Sequence, residues 1–487
     1  MAAGAAAGLA VEFHVLGWTS VPGNSCGGSR YRPCPEGTTP TLILAFALTF
    51  AGYIALLVTI GRFTDRRPGK VVPAVLALAG VPLALWPGWQ AYVWMRGPVL
   101  DSAWQAGLDR PASVRAEGVW TVGEDASTVV RVRTDALVAY DSHDGDRRWT
   151  LRAPVRESVC GMSERVVDGI GLVAFARYQQ PCDTVWGVDT RTGRTVWERK
   201  IKGVSAFTSG SDSLLAADGD VALALTDTGI QAYGLKDGTP RWSAGLTGRS
   251  PDASCAPNVV SAAGGTSQVV VTCLTSADKG SARVVTLDNA TGKQRGSREL
   301  PVESPLDTVM VVSADPFTLL LKERDERGVA AVLSYPGDGD PVRIPLTGDD
   351  EDLTLLPVLG EGFTAGPALR AAVSGDTLVV AAQKPGADDP ERVVGLGLRD
   401  GRRRWHTDLG GEITALAPDG RGRVAVLGAN HRLWTLDATD GSRVGEDDGT
   451  SVRVGTFALT TRLLRAGDTW IVVNGNGTDA APLMGLR

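Results

Sequence analysis

Short apolar runs, each followed by a polar turn that contains glycine, recur along the chain from about residue 118 to its end. Around the stretch WGVDTRTGRTVWERK, residues 186–200, the apolar positions from Val185 to Val188 predict a short strand. Asp189 can accept hydrogen bonds from the backbone of the following turn, and Gly193 can adopt the positive φ that closes it. A second strand, which ends in Trp197, then runs back. The stretch therefore predicts a β-hairpin with a turn of about five residues.

The glycine of this hairpin returns at a regular period. A single hairpin is at best marginally stable in water, so recurring copies indicate neighbours that bury one another's apolar faces. The steps between successive turn glycines are 48, 45, 54, 45, 64 and 40 residues, near the roughly 40 to 50 residues of a four-stranded propeller blade. The turn glycines are Gly145, Gly193, Gly238, Gly292, Gly401 and Gly441, with Gly337 as a weaker candidate.

Two further positions accompany the turn glycine. This pattern resembles the pyrroloquinoline-quinone-like (PQQ-like) β-propeller repeat, in which a strand is followed by D-x-x-T-G and then by x-x-x-W. The resemblance covers about 370 residues, from Trp120 to the C-terminus. The aspartate four residues before the glycine is Asp141, Asp189, Asp288 or Asp437, and the tryptophan four residues after it is Trp149, Trp197, Trp242 or Trp405.

The resemblance implies an all-β fold, a seven- or eight-bladed β-propeller of four-stranded antiparallel blades over residues 116–487. It also implies that each tryptophan packs between adjacent blades above a turn glycine, where its ring buries roughly 150 to 250 Å². Gly296 and Gly445 replace two of these tryptophans, and the blades there are expected to be held less tightly. Seven hairpins are visible, and the C-terminal strands either join GVWTVG, residues 118–123, in an eighth blade or complete the first. Eight blades are favoured over seven.

Two long uncharged segments precede the repeats. Thr41–Ile60 has the length of about 20 residues that crosses a hydrocarbon layer as a helix, and Val71–Trp94 is also uncharged. The loop GRFTDRRPGK between them carries four basic residues and one acidic residue, which the positive-inside rule places in the cytoplasm. The sequence therefore predicts a multi-pass plasma membrane protein with an extracytoplasmic C-terminal propeller. A buried soluble helical hairpin is the alternative.

The expected organisation follows from these patterns. Residues 1–18 are a short apolar segment and a candidate entering helix, with a signal sequence or an interfacial helix as alternatives. The remaining segments are an extracytoplasmic loop with a disulfide (19–40), a transmembrane helix (41–60), a cytoplasmic loop (61–70), a transmembrane helix (71–95), a linker (96–115) and the extracytoplasmic propeller (116–487).

The six cysteines fall as near neighbours in the segments that the charge rule places outside. Six cysteines allow fifteen connectivities. The spacing favours three local disulfides over a metal site, because no C-x-x-C occurs and the chain has 4 histidines. Disulfides persist in oxidising compartments, which agrees with an extracytoplasmic position. The expected pairs are Cys26 with Cys34, Cys160 with Cys182, and Cys255 with Cys273.

Charge argues against a nucleic-acid partner. The net charge of the chain is −6, and the part after residue 97 has 42 Lys and Arg against 52 Asp and Glu, a net of about −10. An acidic domain repels phosphate backbones rather than gathering them. The acidic run GDDEDLT, residues 348–354, is interpreted as a solvated loop, with calcium binding as the less favoured alternative.

No catalytic constellation stands out. The histidines His14, His143, His406 and His431 are scattered, and no G-x-S-x-G, H-E-x-x-H or P-loop occurs. In true quinoprotein dehydrogenases, as the resemblance implies, the quinone lies beneath a disulfide of two adjacent cysteines, and calcium is held nearby. This chain has no adjacent cysteines. No catalytic, cofactor-binding or metal-binding residue is therefore assigned, and no cofactor is expected.

These patterns predict a membrane-anchored protein of the cell envelope whose propeller binds, scaffolds or senses. Loops from every blade surround a propeller funnel, which suits a protein partner or a small ligand. A non-catalytic role is favoured over an enzyme, and the alternative is a PQQ-dependent oxidoreductase. A third hypothesis is a subunit of a membrane complex that acts through its helices.

Overall fold

The computed structural model describes residues 2–19, 34, 37–63, 71–97, 99–108, 118–123, 126–177, 180–202, 213–247, 254–275, 279–337, 339–355, 370–445, 449–453, 461–474 and 481–487. By its internal contacts the chain divides into two compact units. The first unit comprises Met1–Ser102, Gly428–Trp434 and Glu446–Thr456. The second unit comprises Ala103–Leu427, Thr435–Gly445 and Phe457–Arg487.

Three helices form most of the first unit: α1 (Ala2–Thr19), α2 (Thr38–Phe63) and α3 (Val71–Arg96). Helix α1 packs against both α2 and α3. Phe13 of α1, Ala45 of α2 and Tyr92 of α3 are buried together where the three helices meet. A polar contact accompanies this packing, since Nε2 of His14 lies 3.1 Å from the hydroxyl of Thr49.

The prediction of a multi-pass plasma membrane protein is wrong. Among the helical residues that the structure describes, no helix is both long enough and apolar enough to cross a membrane. The uncharged run 41–60 forms part of α2, and α1, on which α2 packs, carries the polar residues Glu12 and His14. The charge rule applied to residues 61–70 depends on spanning helices on either side, so the predicted localisation has lost its basis.

The rest of the described chain is built from short strands, and the all-β prediction for the repeats is confirmed. The first three sheets are β2–β5 (Gly118–Val122, Thr128–Val132, Ala136–Asp141, Arg147–Arg152), β6–β9 (Glu157–Met162, Ile170–Arg177, Thr184–Asp189, Arg194–Lys200) and β10–β13 (Leu215–Asp218, Val221–Thr226, Gly229–Gly234, Pro240–Gly245).

The next three sheets are β14–β17 (Ser254–Ala263, Thr266–Leu274, Gly280–Asp288, Gln294–Glu299), β18–β21 (Leu306–Ala314, Phe317–Glu323, Ala330–Tyr335, Val342–Pro345) and β22–β26 (Asp352–Leu353, Ala371–Ser374, Thr377–Gln383, Pro390–Gly397, Arg403–Asp408). In the last of these, β24 pairs with both β22 and β23.

The remaining strands form one sheet in the order β27-β28-β29-β30-β1-β33-β32-β31. The pairs β29–β30, β31–β32 and β32–β33 are antiparallel, whereas β1 pairs with β30 in parallel, with Val99 opposite Ser451. The strands of this sheet are β1 (Val99–Gln105), β27 (Ile413–Pro418), β28 (Arg423–Gly428), β29 (Arg432–Asp437), β30 (Thr450–Arg453), β31 (Thr461–Ala466), β32 (Thr469–Asn474) and β33 (Leu483–Leu486).

Burial changes across each sheet in a way that follows the sequence pattern. The second strands β3 and β11 are buried at every position, and valines, alanines and leucines supply most of their sequences TVVRV and VALALT. The fourth strands β5 and β13 alternate exposed and half-buried residues, and their sequences RRWTLR and PRWSAG are mixed. A strand that is covered on both faces requires a continuous apolar run, whereas a strand with one solvated face alternates.

Within the second unit the sheets follow one another side by side. The first strand of each contacts that of the next, from β10 through β14, β18, β23 and β27 to β31. The sheet β2–β5 packs on the C-terminal strands, with Val129 and Tyr140 in one cluster with Ile471 and Val473. The guanidinium of Arg131 also donates to the carbonyl of Asn474 at 3.1 Å. The early and late strands thus meet, as in a propeller-like fold.

Candidate functional site

The repeated hairpin turns are organised by their aspartate and their glycine. Oδ1 of Asp189 accepts hydrogen bonds from the backbone N–H groups of Arg191 at 2.9 Å and Thr192 at 3.3 Å, and Gly193 has a φ of 70°. Asp141, Asp288 and Asp437 accept in the same way from backbone N–H groups two or three residues on. The other repeat glycines with positive φ are Gly145, Gly238, Gly292, Gly401 and Gly441.

A tryptophan indole lies over the turn glycine of the following sheet at several junctions. The ring of Trp149 covers Gly193, where a Cβ atom would stand 2.5 Å from the ring, so both φ and space require glycine. The indole N–H donates to the carbonyl of Thr190 at 3.0 Å. The same arrangement joins Trp197 to Gly238 and Leu235, Trp242 to Gly292 and Asn289, and Trp405 to Gly441 and Ala438.

Two further tryptophans, which the sequence pattern did not assign, also donate their indole N–H to a backbone carbonyl. Trp104 lies over Gly145 and donates to the carbonyl of Ser142 at 3.2 Å. Trp120 donates to the carbonyl of Ser163 at 2.7 Å. A signal was available for Trp104, because Trp197 precedes Gly238 by 41 residues and Trp104 precedes Gly145 by the same number.

Two of the three expected disulfides are confirmed. Cys160 and Cys182 are joined with a Cα–Cα distance of 6.1 Å, and Cys255 and Cys273 join directly paired positions of β14 and β15 with a Cα–Cα distance of 4.0 Å. Cys34 is also disulfide-bonded, and its expected partner Cys26 lies outside the described residues.

In the acidic run 348–354, residues 348–350 and Asp352 are exposed, as expected for a solvated loop, whereas Glu351 is paired. The side chain of Glu351 is 10% exposed and accepts hydrogen bonds from the guanidiniums of Arg392 and Arg403, both at 2.9 Å. Asp352 and Leu353 form strand β22. The Glu351 carboxylate, which a calcium ion would need as a ligand, is therefore already bound by two arginines. In the part of the chain that the structure describes, no three His, Cys, Asp or Glu side chains cluster as a metal site.

A cavity of about 270 Å³ lies where the first strands of several sheets end, and we call it the inner-strand cavity. Its apolar wall comes from the alanines of β23 and from neighbouring aliphatic residues, whose short side chains leave the space open. Glu164, which follows β6, and Arg462 of β31 add one group of each charge. The other lining residues are Val312, Ser313, Ala371, Ala372, Val373, Leu416, Ala417, Pro418, Leu463 and Leu464.

The electrostatics of this cavity come from residues outside the repeat motif. Burial raises the pKa of the Glu164 carboxyl, and the charge of the neighbouring Arg165 opposes that shift. Arg370, which immediately precedes β23, forms an ion pair with Glu412 at 2.8 Å. Burial lowers the pKa of Arg370, and Glu412 opposes the shift. The cavity therefore offers an apolar wall with a carboxyl and a guanidinium to a bound group, an arrangement suited to binding.

A second cavity, of about 720 Å³, lies beside the turn of Asp189. It is bordered by an ion pair between Lys236 and Asp168 at 2.9 Å, whose side chains are 68% and 57% exposed. The Asp189 carboxylate is already engaged by its own turn. We therefore place the candidate site in the smaller inner-strand cavity, where buried aliphatic residues such as Val312, Leu416 and Leu463 form part of the wall.

Comparisons with known proteins agree with this architecture. The family model described as outer membrane protein assembly factor BamB matches residues 101–332 and 346–481. No curated protein matches the sequence.

Three solved structures illustrate the similarity. BamB from Moraxella catarrhalis is 14% identical with a TM-score of 0.42, covering 77% of this chain and 99% of its own. The quinohemoprotein alcohol dehydrogenase from Comamonas testosteroni is 11% identical with a TM-score of 0.44, covering 80% and 76%. The computationally designed Ika8 protein is 13% identical with a TM-score of 0.46, covering 80% and 99%.

Proposed function

This chain belongs to the family of PQQ-like repeat β-propellers described as outer membrane protein assembly factor BamB, and we propose that it is a binding and scaffolding module that holds a segment of a partner protein in its inner-strand cavity. The observation that carries the proposal is the convergence of β18, β23, β27 and β31 on one cavity with an apolar wall and both signs of charge. Rigid strand ends from separate sheets hold such a site without rearrangement.

The size of the cavity favours one anchoring side chain over a complete cofactor. Pockets for drug-sized ligands have volumes of about 300 to 1,000 Å³, and this cavity has about 270 Å³. Protein interfaces concentrate their binding energy in a few side chains that fill such pockets.

The order of the sheets supports eight blades rather than seven. Six sheets of the described chain correspond to one blade each, and the eight-stranded sheet has the strands of two, β27–β30 and β1 with β31–β33. In this arrangement β1 shares a blade with β31, β32 and β33. The first and last strands of the repeats then pair with each other, so neither is left as an exposed sheet edge.

The test uses a substitution that fills part of the inner-strand cavity. Ser313→Trp places a large ring at its wall, and Ser243→Trp makes the same change on the exposed edge strand β13. Both tagged full-length variants, and the unaltered protein, are recovered from native cells, and the associated proteins are quantified. We expect one associated protein with the unaltered chain and with Ser243→Trp, and at least a tenfold loss with Ser313→Trp at unchanged melting temperature. Equal recovery from all three contradicts the proposal.

The oxidoreductase alternative is tested separately. The purified protein is incubated with pyrroloquinoline quinone and calcium, freed of excess cofactor, and assayed for quinone absorbance and for dye reduction with alcohols. A binding module retains no quinone and reduces no dye. Stoichiometric quinone retention with turnover establishes the alternative instead.

A further inference from the structure

One junction between sheets lacks its tryptophan and contains a cavity in the corresponding place. At the regular junctions the indole N–H donates to the carbonyl of the residue three positions before the turn glycine that the ring covers, as Trp197 does to Leu235 at 2.7 Å beside Gly238. At the junction between β14–β17 and β18–β21, Gly296 stands at the tryptophan position. A Cβ atom at Gly296 would meet nothing within 4 Å.

Hydrogen bonds identify the turn that the missing ring would have covered. Arg199, six residues after Gly193, donates to the carbonyl of the next turn glycine, Gly238, at 2.7 Å. Thr407, six residues after Gly401, donates in the same way to Gly441 at 2.7 Å.

Arg298 holds the same position, six residues after Gly292, and donates to the carbonyls of Gly337 at 3.2 Å and Gly339 at 3.1 Å. The turn that contains Gly337 and Gly339 therefore corresponds to the turns of Gly238 and Gly441. A Cβ atom at Gly337 would also meet nothing within 4 Å. The space between Gly296 and this turn corresponds to the place that an indole fills at the regular junctions.

This space is a cavity of about 310 Å³ that we call the vacant-wedge cavity. Gly296 and Gly337 lie on its wall, together with Thr286, Phe317, Tyr335 and Arg298. Thr286 faces Gly296 across β16 and β17, whereas the residues that face Trp149, Trp197, Trp242 and Trp405 are alanine or glycine. The exposed side chain of Arg295 on the rim shows that the cavity reaches the protein surface.

Two aromatic rings form one part of an otherwise mostly polar wall, and one of them carries a polar group without a partner. The rings of Phe317 and Tyr335 are 5.7 Å apart, and the Arg298 guanidinium lies 5.8 Å from the centre of the Tyr335 ring. The Tyr335 hydroxyl is buried and has no hydrogen-bond partner. Burial raises the pKa of Tyr335 to about 12 against the opposing charge of Arg298, so the hydroxyl is neutral at physiological pH. An unpaired buried hydroxyl is unfavourable until a ligand supplies its partner.

We propose that the vacant-wedge cavity is a binding site for a planar aromatic ring with an N–H donor, an indole, which the ligand supplies in place of the tryptophan that the repeat lacks. The ring packs between Gly296 and Gly337 beside Phe317, and its N–H donates to the hydroxyl oxygen of Tyr335. This site is separate from the inner-strand cavity, and the inference does not rest on the function proposed above.

The first test separates the hydrogen bond from the packing. Indole and benzofuran, in which an oxygen replaces the N–H, are titrated into the full-length protein up to their solubility and followed by calorimetry and ligand-observed NMR. We expect indole to bind about fivefold more tightly than benzofuran, as one hydrogen bond of about 1 kcal/mol requires. In Tyr335→Phe, which removes only the unpaired hydroxyl, the two ligands are expected to bind equally.

The second test fills the cavity from within. The double variant Thr286→Ala, Gly296→Trp recreates the alanine–tryptophan pair of Ala232 and Trp242. We expect it to lose indole binding at least tenfold and to melt at a higher temperature than Thr286→Ala alone. Gly245→Trp is the matched control, since that glycine also has open space for a Cβ and lies on β13. The proposal is overturned if the unaltered protein binds no indole, or if the double variant binds indole as tightly as the Gly245→Trp control.

Discussion

At the scale of single residues, the turn glycine performs two tasks that can be measured apart. Gly193 has a φ of 70° and its Cα lies beneath the ring of Trp149, whereas Gly219 has a φ of 57° and open space around it. We expect Gly219→Ala to lower the free energy of unfolding by about 1 to 2 kcal/mol, the cost of a left-handed alanine. Gly193→Ala adds a steric overlap with the indole and is expected to cost about 3 kcal/mol or more. Urea denaturation of both variants measures the difference, and equal losses contradict the assigned role of the indole.

A second prediction at this scale concerns pH. Burial lowers the pKa of His431 to about 4 from its ordinary value of 6.5, while a hydrogen bond to the backbone of Val452 opposes the shift. Below pH 6.5 the unfolded chain therefore binds a proton that the folded protein excludes, so folding stability declines between pH 6.5 and about pH 4. A shift of this size corresponds to roughly 3 kcal/mol.

The control variant for this prediction preserves the backbone conformation at residue 431. His431 has a φ of 60°, a conformation that asparagine tolerates well, so His431→Asn removes the titration without adding backbone strain. Carboxylates also titrate near pH 4, and they do so equally in both proteins. We expect the unaltered protein to lose about 3 kcal/mol more than His431→Asn between pH 7 and pH 4. Parallel stability curves show that His431 is protonated as readily in the fold as in water.

At the scale of elements, each described disulfide acts within a single sheet: Cys160 of β6 is tied to Cys182 just before β8, and Cys255 of β14 is tied to Cys273 of β15. Cys160–Cys182 closes a sequence separation of 22 residues and Cys255–Cys273 one of 18. Because loop-closure entropy varies slowly with length, replacing either pair by alanine is expected to cost about 3 kcal/mol. Chemical denaturation of the two double variants measures this loss. A reducing agent should lower the stability of each variant by at least the same amount again, because it also breaks the other bridge of the pair Cys160–Cys182 and Cys255–Cys273, and insensitivity to reductant contradicts the prediction.

The elements also show how far the sequence could be interpreted. Hairpins at Gly145 and Gly193 were predictable because the turn needs glycine and aspartate for local reasons. The membrane assignment failed because an uncharged run such as 41–60 was judged apart from the helices that pack around it. The inner-strand cavity was not predictable, since Glu164 and Arg462 are far apart in sequence and meet only through the order of the sheets. The sequence predicts that a tryptophan is missing at Gly296. It does not predict the cavity beside Gly296, because Tyr335 reaches that wall from another sheet.

At the scale of the whole repeat region, strands from the two ends of the repeats pack against each other. Trp104 lies over Gly145 on one side and against Gly485 on the other, and the N–H of Ala106 donates to the carbonyl of Leu483 at 3.0 Å. Strand β33 therefore contacts residues nearly four hundred positions earlier in the chain. A propeller that closes in this way has no stable half, because each end of the chain supplies the partner of the other.

Removal of β33 tests this dependence. Leu483, Met484 and Leu486 are almost fully buried, so deleting residues 482–487 exposes their partners and removes roughly 5 to 8 kcal/mol of apolar burial. This loss is comparable to the whole stability of a typical domain, about 5 to 15 kcal/mol. We expect the truncated protein to lose its cooperative thermal transition when followed by circular dichroism. Deletion of Arg487 alone, which breaks one hydrogen bond to Thr469, is the control and should cost no more than about 1.5 kcal/mol. A truncated protein that melts cooperatively at the temperature of this control would show that the repeats are stable without their last strand.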